Sequence, residues 1–152
     1  MSLDNTNVRE SNGWLKILVL GVGLWLIPFL ISFLFFTPKG ELTISTGFFD
    51  SIMVVIGALL TAAFLVYYFK TVSRDFLKQA MYCAVSWFVI SIVLDLVTLV
   101  SMFKMDLGKY FAEIGLGYLV IPIMALLVGF LLNEKHSHSR KVYGQIISSK
   151  KD

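Results

Sequence analysis

The sequence predicts an all-α integral membrane protein folded as an up-down-up-down four-helix transmembrane bundle, and two observations carry that expectation. The 152-residue chain is 57% hydrophobic and only 15% charged, whereas soluble domains carry about a quarter charged residues. Its apolar residues also gather into four runs, at about 14–36, 48–69, 80–103 and 110–132. Each run reaches the roughly 20 residues that a helix rising 1.5 Å per residue needs to cross hydrocarbon. The runs are continuously apolar rather than alternating, which excludes a β-barrel. With no water to satisfy backbone groups, each run has to be helical.

The elements follow in order. Residues 1–13 form a polar N-terminal tail, expected to be mobile as far as Asn12. The first span opens at Trp14, an interfacial anchor by residue type. It is longer than the apolar core of a signal peptide and ends in Phe33-Leu34-Phe35-Phe36 rather than a small-residue cleavage site, so it reads as a retained helix. Pro28 removes a backbone donor there and predicts a kink. Thr37-Pro38-Lys39-Gly40 ends the helix. The second span has Thr46 as its expected N-cap. It carries the small-residue pairs Gly57/Thr61 and Ala58/Ala62, a pattern that permits close helix contact. A polar loop from Lys70 to Gln79 leads to the third span, and a tight turn from Lys104 to Lys109 leads to the fourth, which Pro122 interrupts. Residues 133–152 form a basic tail. The transmembrane unit, 14–132, is a single domain, and its short connectors predict that sequential helices are antiparallel neighbours.

The net charge of +3 is not a nucleic-acid footprint, because the basic residues lie in the gaps between apolar runs and leave little soluble surface. Arg9, Lys16, Lys70, Arg74, Lys78, Lys135, Arg140, Lys141, Lys150 and Lys151 fall on one side. Lys39, Lys104 and Lys109 fall on the other. That asymmetry predicts that both termini are cytoplasmic. Membrane lipids, including anionic headgroups, are the expected partners of the basic tail. His136 and His138 are two imidazoles on that tail and make at most half a metal site. Cys83 is the only cysteine, which excludes an intrachain disulfide. No cofactor motif is present, and Ser86, Ser91 and Ser101 have no in-membrane His or Lys to activate them as nucleophiles.

Chemistry is concentrated in three acids. Asp95 is the deepest, about 7 Å below the outer boundary of a hydrocarbon core about 30 Å thick. An ionised carboxylate there costs several kcal/mol unless it is paired, hydrated or protonated. Ser91, Asp95 and Thr98 fall at i, i+4 and i+7, one stripe of hydroxyl, carboxyl and hydroxyl expected to face the bundle interior. The functional reading is a cation or proton site, or the polar end of a ligand pocket. The structural reading is a carboxyl hydrogen-bonded to a facing helix. Asp50 is expected in the first turn of the second helix, where the dipole favours a carboxylate. Glu113 opens the fourth span, with Lys109 four residues before it. Tyr118 flanks Glu113 and Gly117, and its carbonyl is the one that Pro122 would leave free for a cation.

These residues point to a cation- or proton-linked transport or ligand-binding protein, with Asp95, Glu113, Asp50, Ser91, Thr98 and Tyr118 as the ligand- or ion-binding set. The alternative is an accessory membrane protein that binds lipid or a partner and performs no chemistry. A cation or small ligand is the expected cargo, and a homodimer is expected to supply the room that a single bundle lacks.

Overall fold

The computed structural model describes residues 4–102 and 104–149. Phe103, the expected end of the third span, lies outside the described residues. So do Lys150 and Lys151 and the side chains of Arg9, Met102, Arg140 and Lys141.

Among the described residues, five α-helices build the bundle: α1 (Asp4–Ser32), α2 (Thr46–Phe69), α3 (Phe76–Asp95), α4 (Leu107–Glu113) and α5 (Val120–Ser149). A π-helical segment, Leu96–Met102, prolongs α3, and a 3-10 segment, Gly115–Leu119, precedes α5. Four stretches of the described residues are long and apolar enough to cross a membrane: Gly13–Phe35, Thr46–Phe69, Phe76–Ser101 and Gly115–Ser139. The chain is a multi-pass membrane protein. Its outward faces are apolar, with Leu15, Val19, Leu59, Val85, Ile123 and Leu127 all exposed, as a lipid-facing surface requires.

Helix boundaries differ from the sequence expectation at several points. α1 begins at Asp4, inside the stretch expected to be a mobile tail, and continues through Pro28. Ser45 rather than Thr46 is the N-cap of α2, which moves Asp50 out of the first turn. The fourth span is not one helix with a proline break. The chain breaks at Ile114, and Pro122 falls in the first turn of α5, where a missing N–H removes no helical bond.

Packing follows an order that loop length alone does not dictate. α3 packs most extensively on α5 and next on α1, while α2 packs on α1 and α5. The ring order is therefore α1, α2, α5, α3, with α2 and α3 diagonal although residues 70–75 are all that joins them. Neighbouring helix axes lie 8–10 Å apart, so a diagonal is roughly 13 Å. Six residues span up to about 20 Å. A short loop does not enforce adjacency here. The Tyr68 hydroxyl donates to Gln79 Oε1 at 2.7 Å and fastens the two helices at the loop end.

Glycine decides which faces meet. A Cβ on Gly21 would lie 2.8 Å from Ile90 Cδ1 and 2.9 Å from Trp87 Cδ1, and one on Gly129 would overlap the Cβ of Ala80. These two positions bring α1 and α5 onto α3. The pair expected to mediate close contact, Gly57/Thr61, does not do so at Gly57, where a Cβ would meet nothing within 4 Å. Thr61 is fully buried and donates to its own helix at Gly57 O. Without a hydrophobic force between helices in lipid, close packing and interhelical hydrogen bonds have to hold the bundle. The Trp87 indole N–H donates to Ile17 O at 2.8 Å, supplying such a bond in the buried core.

Candidate functional site

Asp95 closes α3 with its side chain 3% exposed. Its carboxyl is held from two other elements. Trp25 Nε1–H on α1 donates to Oδ1 at 2.6 Å, and the Tyr110 hydroxyl on α4 lies 3.3 Å from Oδ2. Tyr118, on the 3-10 segment, makes no direct hydrogen bond to this carboxyl among the described residues. Trp25 is positioned by stacking on Phe29, centroids 4.8 Å apart. Tyr110 is fully buried against Phe111.

The paired residues Ile17/Trp87 and Trp25/Asp95 are each 70 apart in sequence. A constant offset means that α1 and α3 run parallel. The two bonds lie eight residues apart, about 12 Å along the helices. Each helix gives the other one indole N–H.

The chemistry of this arrangement follows from the donor inventory. Indole N–H is a donor only, so Oδ1 has to accept. Tyrosine both donates and accepts, so the Tyr110 hydroxyl can donate to an ionised Oδ2 or accept from a protonated one. A proton on the carboxyl therefore belongs on Oδ2, and it can come and go without breaking either contact. Among the described residues no Lys, Arg or His pairs with Asp95; the ion pair they form is Lys109–Glu113, 3.9 Å apart.

Ser91 lies one turn before Asp95 and is fully buried. Among the described residues, its hydroxyl is the buried side-chain polar atom left without a hydrogen-bond partner. Ser51, Thr61 and Thr98 all donate to a carbonyl four residues back in their own helices. Ser91 does not, and an unpaired buried hydroxyl costs about 1–3 kcal/mol.

The other expected residues are distributed differently. Thr98 leaves the stripe: it is only partly buried, and its hydroxyl bonds back to Leu94 O at 2.8 Å. The π segment is the cause, because its wider turn advances each residue by less rotation than an α-helix does. We expect Thr98→Val to change stability by no more than about 0.5 kcal/mol, measured by thermal unfolding in detergent. Glu113 is exposed at the end of α4, and Asp50 is partly buried on α2. The two lie within electrostatic reach of each other but not in the Asp95 cage. The Val120 N–H at the end of the 3-10 segment is directed at Gly117 O and Tyr118 O. His136 packs on Phe76, centroids 5.6 Å apart, rather than standing free.

Sequence reasoning missed Trp25 and Tyr110. The available signal was chemical: a donor-only indole in mid-span, and a phenol at a span edge, each need an acceptor that apolar neighbours do not provide.

A cavity of about 90 Å³ lies beside the cage, between α1, α2 and the start of α5. Leu24, Pro28, Met53, Gly57, Tyr118 and Ile121 are among its lining residues. Compared with protein-family models, curated proteins and solved structures, the chain matches none of them.

Proposed function

We propose that this is a proton-linked transport or ligand-binding membrane protein in which Asp95 is the proton-exchanging group. One observation carries the reading: a buried carboxyl with no basic partner among the described residues, whose Oδ2 faces a hydroxyl able to donate or accept. Of the cations that a lone acid could serve, the proton fits best. Both carboxyl oxygens face hydrogen-bond donors, and a metal ion would need those lone pairs. Ser91 offers an unpartnered buried hydroxyl one turn before Asp95, and Tyr118 lines the cavity.

The ten-to-three distribution of basic residues supports placing both termini in the cytoplasm, with Asp95 towards the outer face. The basic tail then meets anionic headgroups, at about 1 kcal/mol per residue near the surface. A second copy of the chain would widen the path that a substrate takes. The accessory-protein reading draws on the same contacts, since Trp25 and Tyr110 also tie α1 and α4 to α3.

Carboxyl infrared titration of the lipid-reconstituted protein separates the two. A carboxyl band present in the wild type and missing from Asp95→Asn is expected to appear and vanish with pH. A band that holds constant over the whole range in which the protein stays folded would leave Asp95 as a structural staple.

A further inference from the structure

Ser91 is fully buried, and its hydroxyl has no hydrogen-bond partner among the described residues. A helical serine can always bond back to the carbonyl one turn before it, as Ser51, Thr61 and Thr98 do here with theirs. Ser91 forgoes that bond, and the facing helices offer no other. The offset of 70 that pairs Ile17 with Trp87 and Trp25 with Asp95 sets Gly21 opposite Ser91. Gly21 has no side chain, and Trp87 and Ile90 fill the place of its Cβ. The buried side chains described on α5, Ile121 and Ala125, are apolar. The polar group that remains is Asp95. Helical side chains lean towards the N-terminus, so Asp95 extends over Ser91, with Cβ atoms about 5–6 Å apart. A serine hydroxyl reaches a carboxyl oxygen across that gap by changing one rotamer. The carboxyl has room for it. An ionised carboxylate offers about four acceptor sites, and Trp25 and Tyr110 occupy two.

We propose that Ser91 is the switching donor of the proton site: its hydroxyl turns onto Asp95 when the carboxyl ionises and is released when the proton returns. In the neutral acid, Oδ2–H donates to the Tyr110 oxygen and Oδ1 accepts from Trp25. On ionisation the Oδ2–H bond breaks, its proton leaves to water, and the electron pair stays on the carboxylate. Tyr110 then reverses to donate, and Ser91 supplies the third donor. A hydrogen bond to a carboxylate is about twice as strong as one to a neutral acceptor, so the ionised state is the one that draws Ser91 in. Two to three donors keep a carboxylate ionised without a base beside it. From α1 the carboxyl meets the Trp25 indole and from α4 the Tyr110 phenol. The Tyr118 phenol, before α5, lies within electrostatic reach. Among the described residues no charged side chain pairs with it. The inference rests on the proton reading above and names what lets a buried acid without a base carry its charge.

The test is carboxyl infrared titration of the full chain in lipid, for wild type, Ser91→Ala and Ser91→Cys, with thermal unfolding of each over the same pH range. Ser91→Ala should move the midpoint of the Asp95 band by at least about one pH unit to the alkaline side, a tenfold change in proton affinity. Ser91→Cys, whose S–H is a weak donor, should fall between. The melting temperature should separate the two states as well. Ser91→Ala should melt no lower than wild type where the carboxyl band is present, and lower where it has vanished. A hydroxyl with a purely structural role changes stability equally at every pH. An unmoved midpoint, or a stability change independent of pH, would overturn the proposal and leave the proton reading standing. A wild-type carboxyl that is ionised throughout defeats the proton reading alone if its carboxylate stretch shifts in Ser91→Ala, and both ideas if it does not. A carboxyl that stays protonated throughout defeats both.

Discussion

Replacing Gly129 with leucine is expected to remove the folded bundle. Gly129 faces the start of α3, where a Cβ would overlap that of Ala80 and come 3.2 Å from Phe76 O and 3.6 Å from Leu77 Cα. Two of these three neighbours are backbone atoms, and the third is fixed to backbone by a single bond. No rotamer change on α3 can make room. Overpacking a core usually costs about 1–3 kcal/mol because side chains can move aside. Here only helix separation relieves the clash, so the loss should exceed that range. It falls on the seam between α3 and α5, the most extensive in the molecule. The expected readout is loss of the monodisperse peak after mild heating in detergent, with Gly129→Ala intermediate. Gly57→Ala is the control and should stay within about 0.5 kcal/mol of wild type, since its Cβ enters open space. Wild-type stability in Gly129→Leu would mean that the α3–α5 seam is not packed as described.

The contrast between those glycines bears on how much of the molecule its sequence reveals. Four spans are legible because apolar runs long enough to cross hydrocarbon have few other uses. Which spans touch is not legible. Gly57 with Thr61 has the spacing of a contact motif yet faces open space, whereas Gly129, four residues after Ala125, and Gly21, with no small residue four away, both make contacts. The difference lies in what each faces: Trp87 fills the notch at Gly21, and Ala80 the one at Gly129. Sequence spacing describes one helix and says nothing of the surface opposite.

The candidate site divides in the same way. Ser91 and Asp95 share a buried face because four residues make about one helical turn, a property of α3 alone. Thr98 drops out because the helix changes pitch after Asp95, and no local composition announces that change. Trp25 comes from a helix 70 residues earlier. Pairing it with Asp95 required knowing that α1 and α3 are adjacent and parallel, whereas loop length had suggested only sequential neighbours.

That pairing carries the second large effect. Asp95→Leu should destabilise the bundle by about 2–6 kcal/mol, because it strands two buried donors, the Trp25 indole and the Tyr110 hydroxyl, at about 1–3 kcal/mol each. Asp95→Asn should cost far less. Its amide oxygen can still accept from Trp25, and its NH₂ can donate to the Tyr110 oxygen, so the contacts survive while the titrating proton is lost. Trp25→Phe keeps the stacking on Phe29 and removes only the donor, for an expected loss of about 1–3 kcal/mol. Combining it with Asp95→Leu should cost less than the sum of the two, since the indole N–H that leucine strands is then already gone. The shortfall, read from reversible unfolding of all four proteins in mixed micelles, should be at least about 0.5 kcal/mol for residues in direct contact. Additive losses would mean that Trp25 and Asp95 act independently and that the bond between α1 and α3 contributes nothing. A clear shortfall together with a stable Asp95→Asn would assign the carboxyl oxygens to stability and leave the ionisable proton, which the fold does not need, to function.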